Sequence, residues 1–188
     1  FFLPETYQYQ RGDSDIAILR EAHRLSRETL HEAWQSRQSG LPYEEPYDAL
    51  IMASVIEKET GVADERAQIA GVFVRRLQRN MRLQTDPTVI YGLGPDFDGN
   101  LTRNHLRDEG NAYNTYRHRG LPPGPIALPG REAIHAALHP TPGTALYFVA
   151  RGDGTHAFSS TLEEHEQAVR EYQLQRRADY RSTPPEKP

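Results

Sequence analysis

The sequence predicts an α+β domain with a mostly helical frame and a small β portion. Apolar residues recur at helical spacing through most of the first eighty residues. Two short strand-like runs flank Gly152-Asp153-Gly154 near the other end of the chain, as expected for a hairpin. Between these parts, the stretch 110–130 is dense in Gly, Pro and Tyr and has no regular period. Long irregular stretches of this kind are typical of binding or catalytic loops.

Five helices are predicted from apolar spacing, and they cover about 16–34, 47–60, 64–77, 131–139 and 162–178. Capping residues support three of the boundaries. Asp13-Ser14-Asp15 precede the first helix, and Asp64 is expected to cap the third. Gly61 is expected to end the second helix in the left-handed conformation.

The remaining elements are shorter. A strand is predicted over 81–85, followed by Asp86 as a helix cap, Pro87 at the first helical position and a turn at 92–95. The hairpin is predicted to pair 146–150 with 156–160.

Three regions are expected along the chain. Residues 1–40 form an N-terminal segment and a long helix that lead into a catalytic region at 41–182, and 183–188 form a frayed tail.

Composition excludes several classes of function. The chain has 188 residues with 22 Lys+Arg and 26 Asp+Glu, a net charge of −4, so no basic field exists for nucleic acid. The absence of Cys removes disulfides, thiolate metal sites and cysteine nucleophiles. The longest apolar run, 49–56, is too short to span a bilayer. Because the chain opens on Phe1-Phe2-Leu3-Pro4 without an initiator Met, we expect that an N-terminal part of a longer protein is missing.

The second helix presents an acidic residue on its apolar side. At 100° per residue, Glu59 lies roughly 20° from the mean direction of the large apolar side chains, whereas Glu57 points almost the opposite way. We interpret Glu57 as part of a solvated face or a surface ion pair. Burial and the helix C-terminus both raise the pKa of a carboxyl such as Glu59, which favours a general acid. A buried Arg that neutralises Glu59 is the alternative.

Two further segments offer groups that bind sugars. Tyr113, Asn114, Thr115 and Tyr116 supply flat faces and hydrogen-bonding groups, although plain loop packing is an equal alternative. Gln84, Thr85 and Asp86 place an amide, a hydroxyl and a carboxylate ahead of a helix. For Asp86 a helix cap is the stronger interpretation.

Metal and cofactor chemistry find little support. His135 and His139 have i, i+4 spacing, and His156 is a candidate third ligand, but no Glu follows His135 as in zincins and Pro140 ends the helix. No Gly-x-Ser-x-Gly, Gly-Lys-Ser/Thr or Gly-x-Gly-x-x-Gly motif is present. We therefore predict no metal and no cofactor.

Four motifs in order carry a family resemblance. They are ASVIEKET at 53–60, MRLQTDPTVIYGLG at 81–94, AYNTYRHRGLPPGPIALPG at 112–130 and YFVARGDGTHAFSSTLEEH at 147–165. Together with the opening FFLPETYQY, they resemble the bacterial endolytic murein transglycosylases of the MltG (YceG-like) family. The similarity covers nearly the whole chain.

The resemblance implies a lytic transglycosylase that cleaves peptidoglycan glycan strands between N-acetylmuramic acid and N-acetylglucosamine and leaves a 1,6-anhydromuramyl end. The second Glu of Glu-Lys-Glu-Thr, Glu59 here, is implied to be the catalytic acid/base. The residues carried over as cleft-lining positions are Gln84, Thr85, Asp86, Tyr113, Asn114, Thr115 and Tyr116.

The resemblance also implies a setting. The enzyme would act in cell-wall synthesis and strand termination, with cell-wall synthases as further candidate partners. A single-pass anchor in the inner (cytoplasmic) membrane and a LysM-like subdomain are implied but not evident here, and the catalytic domain would face the periplasmic side. Two alternatives stay open: a non-catalytic glycan-binding scaffold of the wall-synthesis machinery, and a His-dependent metal hydrolase.

Overall fold

The structure is a computed structural model that describes residues 1–174. Its helices are α1 (Asp15–Gln35), α2 (Pro46–Glu59), α3 (Arg66–Gln78), α4 (Asp86–Leu93), α5 (Arg103–Arg107), α6 (Arg131–Leu138) and α7 (Leu162–Val169). Strands β1 (Tyr147–Ala150) and β2 (His156–Ser159) form an antiparallel pair. The predicted α+β class, with a helical frame and a small β portion, is confirmed.

Helix α2 forms the centre of the core. Its residues 49–56 are each at most 4% exposed, because α3 and α6 cover it and α1 and α4 pack against its remaining sides. The polar residue in this run, Ser54, donates to the carbonyl of Ile51 at 2.6 Å and accepts from the amide of Ile126 at 2.9 Å. A helical stretch that is buried on all sides over 49–56 is typical of a core position rather than a surface one.

Helix α1 lies against α6 and α2. Ser14 caps it, accepting a hydrogen bond from the amide of Ala17 at 3.2 Å, as the capping residues predict. The N-terminal segment is held against α1 by a hydrogen bond from the Leu3 amide to the Ala22 carbonyl at 3.1 Å, and Leu3 is buried in the core. The division of the chain at residue 40 stays a prediction.

The ends of the next two helices differ from the prediction. Thr60, and not a left-handed Gly61, ends α2: its backbone is extended and its hydroxyl accepts from the Val62 amide at 2.9 Å. Asp64 does not cap α3, because it lies within a 3-10 turn, Ala63–Glu65, that precedes the helix. In both places a local side-chain or backbone hydrogen bond replaces the predicted cap.

The strand predicted at 81–85 is wrong. This segment pairs with no strand in the described chain, and Arg76 binds its carbonyl oxygens instead. Gln84 has a φ of 54°, which is incompatible with a regular strand. Asp86 is the first residue of α4 and Thr85 is the N-cap, so the predicted cap is also wrong by one residue. Helix α5 is an element that the apolar spacing did not predict.

The hairpin is confirmed, with Tyr147 opposite Ser159 and Ala150 opposite His156. Phe148 contacts Phe73 of α3 edge to face at 5.7 Å, which fixes β1 to the core, and α7 packs on both strands. Beyond α7 the chain continues as a π-helical turn, Arg170–Leu174. The last residues of the predicted 162–178 helix and the 183–188 tail lie outside the described residues. Within 1–174, no helix has the length and apolar character to cross a bilayer.

Candidate active site

A cavity of about 490 Å³ lies where the end of α2, the start of α4 and the hairpin with α7 meet. It is lined by Glu59, Arg76, Leu83, Gln84, Thr85, Asp86, Tyr116, Tyr147, Phe148, Val149, Leu162, His165 and Val169. Five of the eight predicted site residues are therefore brought together: Glu59, Gln84, Thr85, Asp86 and Tyr116. Tyr113, Asn114 and Thr115 do not line this cavity.

Glu59 is the last residue of α2 and is half-buried at the cavity wall. The Thr85 hydroxyl donates a hydrogen bond to its carboxylate. Burial raises the pKa of Glu59 to about 7; the charge of Asp86 adds to this, while the Thr85 hydrogen bond and the charge of Arg76 oppose it. A carboxyl with such a pKa is present in both protonation states near neutral pH. It is therefore able to donate a proton and to take one back.

Arg76 also lines the cavity, but its hydrogen bonds are made to groups other than the Glu59 carboxyl. Its guanidinium donates to the carbonyls of Leu146 at 2.6 Å and Leu83 at 2.8 Å, and more distantly to Arg82 and to the side chain of Gln84. No ion pair joins Arg76 to Glu59 among residues 1–174. A buried Arg is thus present, as the alternative required, yet it organises the backbone and leaves the carboxyl unpaired.

Glu57 points away from this cavity. It is half-buried and accepts a hydrogen bond from the amide of Gly130, the N-cap of α6, at 3.0 Å. The interpretation of Glu57 as a solvated or ion-paired surface residue is wrong, because tertiary packing gives its carboxylate a backbone donor. Two glutamates separated by Lys58 therefore have different environments.

The segment from Gln84 to Asp86 is held from two sides. Thr115 accepts hydrogen bonds from the Gln84 amide at its carbonyl, at 3.2 Å, and from the Thr85 amide at its hydroxyl, at 3.1 Å. With Arg76 holding the carbonyl of Leu83, the segment keeps Gln84 at a positive φ that non-glycine residues rarely adopt. Thr85 is buried, whereas Gln84 and Asp86 are exposed at the cavity rim.

The irregular loop supplies one cavity residue and the hydrogen bonds that hold it. Tyr116 donates from its hydroxyl to Asp86 at 2.6 Å. Burial, with the bond to Asp86 as a smaller contribution, raises the pKa of Tyr116, so this hydroxyl keeps its proton.

Asn114 has no exposed surface and donates to the carbonyls of Asp108 at 2.7 Å, His105 at 3.1 Å and Leu106 at 3.3 Å. Its side-chain oxygen accepts from the amide of Tyr116 at 3.0 Å. Tyr113 packs on Tyr91, with ring centroids 4.9 Å apart. These contacts shape the loop that presents Tyr116.

Three polar cavity residues were not singled out from the sequence: Arg76, Tyr147 and His165. The Arg76 guanidinium lies 5.0 Å from the Tyr147 ring, and His165 stacks on the same ring at 5.1 Å. Arg76 shares helical spacing with Ile69 and Phe73, and a charged residue on an apolar stripe was a signal that pointed to it. The other two offered no such signal beyond lying within the fourth motif.

The histidines of the metal hypothesis do not converge. His135 and His139 stack on each other at 4.1 Å, and His139 contacts the Ser36 carbonyl at 2.8 Å. His156 instead contacts Glu65 at 2.7 Å. The described part of the chain contains no group of three or more His, Cys, Asp or Glu side chains that could hold a metal ion.

Comparison with known proteins identifies the family of this chain. The model of the YceG-like family matches residues 1–171. A protein of Bacillus subtilis (strain 168) named endolytic murein transglycosylase is 37% identical over 172 residues, which is 92% of this chain and 47% of the relative. One of the same name from Streptococcus pneumoniae serotype 2 (strain D39 / NCTC 7466) is 33% identical over 129 residues, 66% of this chain and 23% of the relative.

A solved structure has the same fold. The 2.6 Å crystal structure of a putative YceG-like protein from Listeria monocytogenes superposes with a TM-score of 0.71 at 37% identity, covering 88% of this chain and 53% of that one. The chain spans about half the length of the Bacillus relative and of this structure. The family resemblance drawn from the four motifs is confirmed, and the chain belongs to the YceG-like family.

Proposed function

We propose that this chain is the catalytic part of an endolytic peptidoglycan lytic transglycosylase, with Glu59 as its general acid and base. The observation that supports this proposal most directly is the environment of the Glu59 carboxyl. This carboxyl lies half-buried in a cavity and has a pKa of about 7, and among the described residues its only hydrogen-bond donor is a hydroxyl. The names of the Bacillus and Streptococcus relatives support the reaction class.

In the proposed reaction, protonated Glu59 donates its proton to the oxygen that links N-acetylmuramic acid to N-acetylglucosamine, and the bond from C1 to that oxygen breaks. The Glu59 carboxylate then takes the proton of the muramyl C6 hydroxyl as this oxygen bonds to C1. The carboxyl ends protonated, as it began, and no water is consumed. Because the nucleophile belongs to the substrate, one carboxyl serves both steps and the second carboxylate of most glycosidases is not required.

The other predicted residues divide into two groups. Gln84, Thr85, Asp86 and Tyr116 line the cavity and are proposed to contact the glycan. Tyr113, Asn114 and Thr115 are proposed to act indirectly, by holding the loop and the Gln84 segment in place.

The biological setting is proposed on the same basis. Peptidoglycan glycan strands are the substrate, and cleavage would terminate strands during wall synthesis, with cell-wall synthases as candidate partners. The catalytic domain would act on the extracytoplasmic side of the inner membrane, with the full-length protein anchored by a single pass.

The test is digestion of purified glycan strands followed by mass analysis of the new ends. Anhydro ends and hydrolysed reducing ends differ by one water, so the two reactions are distinguished directly. We expect anhydro ends from the unmodified chain, none from Glu59→Gln and normal release from Glu57→Gln, the matched control on the same helix. Near-normal release by Glu59→Gln would refute the assignment of Glu59.

The same digestion separates the alternatives. Glycan binding that persists in Glu59→Gln, with no cleavage by the unmodified chain, would indicate a binding scaffold. Activity lost with a chelator and with His135→Ala would indicate a metal hydrolase.

A further inference from the structure

Helix α7 and strand β1 form a second wall of the cavity, different in character from the wall that carries Glu59. One face of α7 lines the cavity with Leu162, His165 and Val169, because these residues are spaced i, i+3 and i+7. Val149 of β1 lines the same cavity. Tyr147 and Phe148 of β1 line it as well, so this wall combines aliphatic and aromatic side chains with one imidazole.

The imidazole of His165 is fixed in orientation. It stacks on the Tyr147 ring with an interplanar angle of 20°, and the Arg76 guanidinium lies over that same ring. The Nδ1 atom is shielded from solvent and has no hydrogen-bond partner in the part of the chain that the structure describes. Within residues 1–174 no group hydrogen-bonds to Nε2 either, so Nε2 is the nitrogen that remains for a ligand in the cavity.

The His165 ring is neutral, and its proton favours one of the two ring nitrogens. Burial, and then the charge of Arg76, lower the pKa of His165. A buried N–H without an acceptor is rare in proteins, which disfavours a proton on the shielded Nδ1. The neutral ring therefore carries its proton on Nε2 and presents a single N–H donor.

The His165 N–H, with aliphatic side chains beside it, matches a particular group on a glycan. A sugar hydroxyl placed against Val149, Leu162 and Val169 would direct its own O–H toward carbon, which is unfavourable. An acetamido group has a methyl for the aliphatic surface and one strong acceptor oxygen for the N–H. Leu162 is 55% exposed at this wall, which leaves apolar surface for a methyl group to cover.

We infer that His165 is a specificity-determining residue, which recognises the acetamido group of a bound amino sugar by donating from Nε2 to the acetamido oxygen, with the methyl group against Val149, Leu162 and Val169. This inference rests on the proposed function, because that function supplies the N-acetylated glycan. It assigns the discrimination between acetylated and plain sugars to α7 and not to the wall that bears Glu59.

The test compares two neutral tetrasaccharides by NMR or calorimetric titration of the intact chain. Chitotetraose carries acetamido groups, and cellotetraose has hydroxyls in their place. We expect the unmodified chain to prefer chitotetraose. His165→Phe keeps the stacking on Tyr147 but removes the donor, and should weaken chitotetraose binding about tenfold while leaving cellotetraose binding unchanged.

Two further variants sharpen the result. His165→Gln places an amide N–H near the position of Nε2 and should retain more of the preference than His165→Phe. His31→Phe, on the exposed surface of α1, should bind as the unmodified chain does.

Equal binding of the two sugars by the unmodified chain, an unchanged preference in His165→Phe, or a Gln variant no better than Phe would each overturn the inference. Because the readout is binding, its failure is separate from failure of the proposed function, which is read from anhydro ends.

Discussion

The Thr85 hydroxyl donates a hydrogen bond to the Glu59 carboxylate and so connects the N-cap of α4 with the last residue of α2. Thr115 holds the backbone amide of Thr85, which fixes the position of that hydroxyl. The bond stabilises the carboxylate form and limits the rise in pKa that burial causes. Thr85 therefore adjusts the proton affinity of the proposed acid.

Replacing Thr85 with Val should move the pH dependence of the reaction. Glu59 must be protonated to act as the acid, so activity should fall as pH rises through its pKa of about 7. Without the hydroxyl the carboxylate loses a donor and the pKa rises, which should move this limb of the kcat/KM profile up by about one pH unit. The measurement is the rate of anhydro-end formation between pH 5 and pH 9.

Thr29→Val is the matched control for that profile. Thr29 is buried in α1 and accepts a hydrogen bond from Arg131, away from the cavity. In the Thr29→Val variant, kcat/KM should fall over the same pH range as in the unmodified chain. If kcat/KM of the Thr85→Val variant also falls over that same pH range, the Thr85 hydroxyl does not influence the pKa of Glu59.

Glu59→Gln should make the fold more stable at alkaline pH. The folded pKa of about 7 lies above the ordinary 4.5, so the folded state holds this proton more tightly than the unfolded chain. Stability is therefore lost as pH rises from 4.5 to 7, by up to about 3 kcal/mol. Gln does not titrate and escapes this loss.

Urea unfolding of both proteins checks that linkage. The stability advantage of Glu59→Gln over the unmodified chain should be smallest below pH 5, grow through the window from 4.5 to 7 and level off above it. Glu57→Gln should show no such growth. A pH-independent difference between Glu59→Gln and the unmodified chain would contradict a raised pKa.

Arg76→Met should loosen the Gln84 segment. The substitution leaves the carbonyls of Leu83 and Leu146 without their donor inside the protein, which should cost about 3 kcal/mol of folding free energy. Activity should fall as well, because Thr85 lies two residues beyond Leu83. Arg79→Met, exposed at the end of the same helix, should change the midpoint of thermal unfolding little. Similar midpoints for the two variants would exclude the structural role of Arg76.

Asn114→Asp should destabilise the loop that presents Tyr116. The substitution replaces an N–H donor that serves three carbonyls with an oxygen that has no proton to donate. We expect a loss of about 2–3 kcal/mol by chemical denaturation. Asn100→Asp, at an exposed position, should cost less than about 0.5 kcal/mol. If both variants unfold at the same denaturant concentration, the buried hydrogen bonds of Asn114 do not support the fold.

Local patterns predicted the helical frame well and the connections between elements poorly. Spacing of apolar residues located α1, α2, α3, α6 and the hairpin, because burial of one face imposes a period on the residues themselves. The same reasoning failed at 81–85, where a short alternation resembles a strand but Arg76 supplies the hydrogen bonds that a neighbouring strand would. It also failed at Glu57, whose donor comes from Gly130, 73 residues away.

By itself, the sequence determined the fold class, the family and the direction of Glu59 relative to the apolar side of α2, since all three depend on residue types at short or fixed spacing. Only the tertiary structure decided what surrounds that carboxyl. The Thr85 hydroxyl reaches the cavity from the N-cap of α4, the Arg76 guanidinium from α3 and the His165 ring from α7. Such contacts depend on how helices pack across the core, and no local period in the chain encodes that packing.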